Sequence, residues 1–388
     1  MRISDVRVHV VTPLGHIDLV EGSRLGWVFV EVETDDGLIG VGECSNWPRQ
    51  GNHIVARTVD AVGRQLIGRD PAAIEAIWND LYRASTYLGS RGLITAVISG
   101  IDIALWDIKG QALGRPVWDL LGGALRREVP LYTHPGGGDP DEAVANTREL
   151  IDQGFEAVKF DPFIEMLPRF TSYLDGRISR RGVREAAEII AAVRDAAGPD
   201  LEILIDAHGN FDVPSALRAI RALEPFDITW FEEPVPPESL DALRQIRTQT
   251  SVDLCVGERL HTRWDFAPVL AAGVAGYVMP DVCWTGGISE LKKIATLAEA
   301  YYVPISPHNA LGPIQILAGG HVAMTVPNLY RLEINSKWLH QYDAAIAGNL
   351  PVRDGALHLG DTPGLGIGLD YDFVSNQADN DWRDFRHG

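Results

Sequence analysis

The chain has 388 residues, of which 46% are hydrophobic and 22% charged. That is the balance of an ordinary globular protein with a large core, and the length exceeds what one average domain needs. Lys plus Arg number 34 against 53 Asp plus Glu, for a net charge of −19, which makes nucleic acid and anionic membrane poor partners.

The three cysteines, Cys44, Cys255 and Cys283, are odd in number and widely separated. They fit neither a disulfide framework nor a zinc site, and a cytoplasmic, reducing setting is expected. The opening MRISDVRVHVV reads as a strand, not as a signal peptide, and no apolar run approaches the ~20 residues that span a bilayer.

In chain order, Ile3, Val6, Val8 and Val10 begin a strand. Trp27 to Thr34 alternates, Asp35-Asp36-Gly37 turns, and LIGVGE returns, which predicts a hairpin. A loop from Pro13 to Leu25 carries His16 and Arg24. The period then changes. Ile54, Val55, Val59, Val62 and Leu66 recur at helical spacing, as does Ala73 to Tyr82. Leu93 to Leu113 is a long apolar helix stopped by Gly114-Arg115-Pro116. Residues 1–125 are therefore expected to form an α+β domain.

From Val129 strand and helix patterns alternate. Candidate strands end at His134, Asp161, His208, Pro234, Glu258, Asp281, His308 and Ile334, which predicts an α/β fold built on a parallel (β/α)8-type barrel over residues 126–350. The long second connection, from Asp161 to Glu202, holds an insertion at 162–182 near the barrel mouth. The Gly-rich tail from 351 to 388 is expected to return to the first domain.

Asp206, Glu232 and Glu258 each end an apolar run, and both intervals are 26 residues. Such a repeat places the same structural position on successive βα units, at the strand ends where a barrel carries its active site. Three convergent carboxylates would repel one another, and a hard divalent cation, Mg²⁺ foremost, resolves that repulsion. Glu233 follows Glu232 directly, so alternation turns it away from the cluster toward a neighbouring side chain. Asp281 and His308 end adjacent strands. A carboxylate on one ring nitrogen fixes the tautomer and raises the basicity of the other, so His308 is expected to be a base with Asp281 as its partner. His208, two residues after Asp206, is expected on the same side of its strand as a possible acid.

These residues resemble the enolase superfamily in its mandelate-racemase-like branch, over nearly the whole chain. GIDIALWDIKGQALGRPVWDLLGG resembles the characteristic helix and turn of that branch. DAHGN, SPHNALGPI and RLEIN resemble the acid-sugar, galactonate-type dehydratases. The resemblance implies a capping domain at residues 1–125 that closes the barrel mouth and selects the substrate. It also implies a homo-oligomer, and a site in which a base takes the proton beside a substrate carboxylate while Mg²⁺ stabilises the negative charge that develops. Enolase-type sites are themselves the general example of a Lys or His base beside Mg²⁺.

By the same resemblance Glu333 hydrogen-bonds the substrate carboxylate, which requires a protonated carboxyl, and acidic neighbours would raise its pKa in that direction. Racemases of this branch carry Lys-x-Lys where this chain has Lys159-Phe160-Asp161. The second lysine is their opposite-face base, so racemisation loses support. Lys159 is expected to meet the substrate carboxylate or an internal acid such as Asp161 or Asp206. Substrate contacts are further expected from Arg49, His53, Asp161 and Trp284. Arg24, Trp47, Tyr87, His16, His134 and His261 are weaker candidates.

The implied reaction is dehydration of an aldonate or aldarate to a 2-keto-3-deoxy acid. An epimerase or lactone cycloisomerase would use the same site, and a non-catalytic sugar-acid binder is the reading from another class. A binder has no need of a base, which weighs against it.

Overall fold

The computed structural model describes residues 1–13, 26–46, 49–166 and 176–383. Most of the Pro13–Leu25 loop, with His16 and Arg24, lies outside the described residues, as do Trp47 and part of the 162–182 insertion.

Strands β1 (Ile3–Val11), β2 (Trp27–Thr34) and β3 (Ile39–Glu43) form an antiparallel meander in that order. Alternation along β2 serves two cores. Val28, Val30 and Val32 face the helices α1 (Arg49–Gly63), α2 (Ile74–Ala84) and α3 (Leu93–Leu113). Trp27 and Phe29 belong to the core shared with the rest of the chain. The small residues of β3 let α3 approach closely: a Cβ on Gly42 would collide with the Gly100 carbonyl. Helix α3 ends at Gly114 in the left-handed conformation, at φ +64°, where glycine carries no steric penalty. The short helix α4 (Val117–Leu120) follows.

A barrel comes next. Its elements run β4 (Val129–Tyr132), α5 (Pro140–Asp152), β5 (Ala157–Phe160), α6 (Arg180–Ala197), β6 (Glu202–Asp206), α7 (Val213–Leu223), β7 (Trp230–Glu232), α8 (Leu240–Arg247), β8 (Asp253–Val256), α9 (Thr262–Ala272) and β9 (Tyr277–Val278). Helices α10 (Gly287–Glu299) and α11 (Pro313–Ala323) and strand β10 (Leu332–Glu333) complete it. β5 to β9 form one parallel ladder in order. Closure uses single bridges: Val278 to Ile305, Asp281 to His308 and Ile305 to Leu329, all parallel. β10 then pairs with β4, and Thr133 bridges to Val158. The seventh predicted strand is thus present as isolated bridges only, because its VPISPH segment holds two prolines that cannot donate to a ladder.

Aromatic rings fill the barrel at its N-terminal end. Trp230, Tyr277 and Tyr330 have mutual centroid distances of 5.1 to 5.3 Å, and Tyr132 meets Trp230 edge-on. Beyond α12 (Leu339–Ala345), the strands β11 (Val352–Arg353) and β12 (Ala356–Leu357) form a hairpin that adds antiparallel to β4. Helix α13 (Tyr371–Asn376) precedes a stretch that returns to the first sheet, where Asp379 N donates to the Val10 carbonyl and Ala378 bridges to Val11. No helix among the described residues is long and apolar enough to cross a membrane.

Candidate active site

Parallel strands point their C-terminal ends one way, so β6, β7 and the residue two past β8 deliver Asp206, Glu232 and Glu258 to one place. A ligand oxygen from each lies within 4.8 Å of the others, and all three residues are buried. Lys159, on β5, reaches in from the next strand. Its ammonium is 3.1 Å from Asp206 Oδ2, 2.9 Å from Glu232 Oε1 and 2.9 Å from Glu333 Oε1. Of the partners expected for Lys159, Asp206 is found and Asp161 is not.

One ammonium shared by three carboxylates leaves the cluster short of positive charge. Burial, and then the Asp206 charge, push Glu232 well above the usual carboxylate range. Burial also raises Glu258. Asp206 is lowered: burial opposes its charge, but His208 and Lys159 prevail. A buried, oxygen-only donor set in which Glu232 and Glu258 stay raised has the composition of a hard divalent-cation site.

Two histidine–aspartate pairs flank the triad. On one side His308 Nδ1 is 2.6 Å from Asp281 Oδ2, and its Nε2 faces the triad at 3.5 Å from Glu258 Oε2. The Trp284 ring lies beside the imidazole, tilted 33° to it with centroids 5.1 Å apart. Burial disfavours the imidazolium, but Glu333, the Asp281 hydrogen bond and Glu258 outweigh it and raise His308 to about 9. On the other side His208 Nδ1 is 2.8 Å from Asp161 Oδ2, and its Nε2 is 3.4 Å from Asp206 Oδ2. His208 is also raised, because Asp206 and Asp161 outweigh the cost of burial.

The position expected for His208 is found, but for a different reason. β6 ends at Asp206, and His208 lies in a turn at φ +49°, its N–H donating 2.8 Å to Asp206 Oδ1. Strand alternation does not govern it. Asp161, expected to touch substrate, is engaged by His208.

Three further expected residues have other partners in the structure. Glu333 is not set up as a protonated carboxyl. Its Oε1 lies 2.7 Å from His134 Nε2 and 2.9 Å from Lys159, and its Oε2 accepts from Asn309 N at 3.0 Å. Burial opposes its charge, but Lys159, His308 and His134 hold it well below the usual range. The structure does not bring Arg49 and His53 to the triad: both bind Asp379, at 2.6 and 2.9 Å, and Arg49 also meets Asp381. They fasten the returning C-terminal segment to α1.

Glu233 lies past the end of β7 at φ +35°, so alternation does not govern it; it binds the neighbouring Arg259, which also lies 3.1 Å from Glu258 Oε1. Sequence reasoning gave His134 little weight and missed Arg259. The signal for His134 was its place at the end of the first barrel strand, beside the last.

Residues 142–373 match the enolase C-terminal domain-like family, and residues 3–122 match the N-terminal domain of mandelate racemase and muconate lactonizing enzyme. The chain belongs to that branch of the enolase superfamily. Among its relatives is a D-galactonate dehydratase of Pectobacterium atrosepticum, 37% identical over 370 residues that cover 92% of this chain and 93% of that protein. A D-galactonate dehydratase of Klebsiella pneumoniae is 38% identical over the same shares. Among solved structures, a mandelate racemase/muconate lactonizing enzyme-like protein from Rubrobacter xylanophilus superposes with a TM-score of 0.88 at 35% identity, covering 98% of each chain. A member of the enolase superfamily from Salmonella Typhimurium gives 0.88 at 28% identity over 96% of this chain and 97% of that one. The chain is accordingly an enzyme, a carbon–oxygen lyase of this superfamily.

Proposed function

We propose that the protein is a Mg²⁺-dependent sugar-acid dehydratase, converting an aldonate or aldarate to a 2-keto-3-deoxy acid. The observation that carries this reading is the pair of histidine–aspartate dyads on opposite flanks of one acidic triad. The dehydratase relatives agree with it. Bound by Asp206, Glu232 and Glu258, Mg²⁺ would supply Lewis-acid stabilisation of the negative charge that develops on the substrate carboxylate.

His308 Nε2 takes the proton from the carbon beside that carboxylate. Asp281 holds the Nδ1–H and stabilises the imidazolium that forms. Lys159 adds positive charge at the same end of the substrate, and Glu333 and His134 fix the position of Lys159. His208, its Nδ1 side held by Asp161, donates the Nε2 proton to the hydroxyl leaving from the next carbon. That hydroxyl departs as water, and the enol tautomerises to the keto acid. Asp161 stands where racemases of this branch carry their second lysine, and it serves an acid rather than acting as a second base. That favours elimination over racemisation.

The test is a screen of mono- and diacid sugars in deuterated solvent. The wild type is expected to release a product lighter by one water. His308→Asn is expected to lose both exchange and product, by on the order of 10²–10⁴. His208→Asn is expected to keep α-proton exchange and lose product. A product of unchanged mass from every acid, or wild-type product formation by His208→Asn, sinks the assignment.

A further inference from the structure

We propose that Glu43 and Gln315 are positioning residues for His308, so that a strand of the first domain sets the orientation of a base carried by the barrel. The proposal rests on the reading of His308 as the base.

Glu43 ends β3 and is 0% exposed. Its oxygens are filled largely from the barrel. Oε1 accepts from Gly312 N at 2.8 Å, and Oε2 accepts from Gln315 N at 2.9 Å. Those N–H groups open α11, so a carboxylate from another domain caps the positive end of that helix. The approach is close enough that a Cβ at Gly312 would fall on the Glu43 carboxylate.

The helix start it fixes carries Gln315, whose side chain is held at both ends. Oε1 accepts from Leu311 N at 2.9 Å, and Nε2 donates 2.6 Å to Asp281 Oδ2. That oxygen is the one bound to His308 Nδ1. Asp281 Oδ1 accepts from Cys283 N at 2.6 Å. The carboxylate plane of Asp281, and with it the direction of the imidazole, therefore depends on where Gln315 stands.

A second arm leaves the same stretch of chain. Ser45 Oγ donates to Glu43 Oε1 at 2.6 Å, and the Ser45 carbonyl accepts from Trp284 Nε1 at 2.8 Å. Trp284 is the ring packed, tilted, against His308. Glu43 and Ser45 thus brace the imidazole through Asp281 at Nδ1 and through the neighbouring Trp284 ring.

The experiment compares Gln315→Leu, Glu43→Gln and the double variant with His308→Asn and the wild type. Glu43→Gln keeps the shape but turns an amide N–H toward the backbone N–H groups of α11. The readouts are the α-proton exchange rate, kcat and KM separately, and the rise in melting temperature on adding Mg²⁺. Gln315→Leu and Glu43→Gln are expected to lose on the order of 10- to 100-fold in exchange and kcat, the scale of a misplaced catalytic group. KM and the Mg²⁺ response stay as in the wild type. The double variant loses less than the product of the two single losses, because both act through one chain of contacts.

Exchange within about twofold of wild type in Gln315→Leu overturns the proposal and leaves the reaction standing. A loss in Glu43→Gln that falls equally on turnover and the Mg²⁺ response, or losses that multiply fully, reduces these residues to general scaffolding and also overturns it. Undiminished exchange in His308→Asn overturns the base assignment itself.

Discussion

His208 owes part of its raised proton affinity to its hydrogen bond with Asp161 and to the electrostatic attraction between the two. Asp161→Asn keeps the side chain's shape and removes the charge. Dehydration is expected to fall by on the order of 10²-fold while α-proton exchange persists, because less of His208 is then held in the protonated form that can donate. Equal losses in exchange and product would refute the separation of roles. At this scale the sequence was informative where a residue ends a strand. Asp206, Glu232, Glu258 and Asp281 do, or follow one closely, His308 ends a segment paired by isolated bridges, and equal spacing exposed the first three. It was uninformative where geometry leaves the strand. His208 sits in a left-handed turn, so its pairing with Asp161 follows no alternation rule. Glu333 was expected to be neutral because its acidic neighbours could be counted. The lysine and histidine that ionise it come from strands brought alongside only when the barrel closes.

Helix α3 shows what a single element can transmit. Its period and its Gly-Arg-Pro stop were legible in the sequence. Its buried acids were not, because an aspartate in an apolar helix reads as an interruption until its partners are known. Asp102 accepts from Ser289 N and Ser289 Oγ at the start of α10, at 3.0 and 2.6 Å. Asp107 accepts from Val41 N and Leu365 N. Burial pushes Asp102 up to about 7 and Asp107 up to about 6. Glu43 is likewise pushed by burial to about 7.

A carboxyl whose pKa is raised on folding stabilises the native state fully below its unfolded value. That contribution is lost as pH rises to the folded value. For Asp102 the window runs from 3.8 to about 7. The melting temperature is expected to carry a component that declines with rising pH across that window and is flat above it. Asp102→Asn can still accept from Ser289 N and donate to its hydroxyl, and it should remove that component. Parallel melting curves for the two proteins from pH 4 to 8 would show the shift is not expressed in stability.

The whole molecule, at −19, repels a sugar-acid anion at long range. Salt screens that repulsion over about 8 Å at 0.15 M, so KM is expected to fall as ionic strength rises from low values. A KM that climbs with salt would mean that a local positive field dominates capture. The same charge favours divalent cations. Mg²⁺ added to chelator-treated protein is expected to raise the melting temperature, by the equivalent of about 2.7 kcal/mol at a hundred times its dissociation constant. Glu232→Gln should abolish that rise, and an undiminished rise would place the cation elsewhere.

The two-layer plan was legible because strands precede helices in the first third and alternate with them afterwards. The way Arg49 and His53 lock the tail was not, since Asp379 lies over three hundred residues away in the chain. The aromatic floor of Trp230, Tyr277 and Tyr330 has a kinetic consequence. With that end of the barrel plugged, the catalytic chamber is a cul-de-sac. Among the described residues that leaves the side where the strands end for both substrate and products. Departure of one molecule is then a precondition for arrival of the next, and accumulated product competes directly with fresh substrate for the approach.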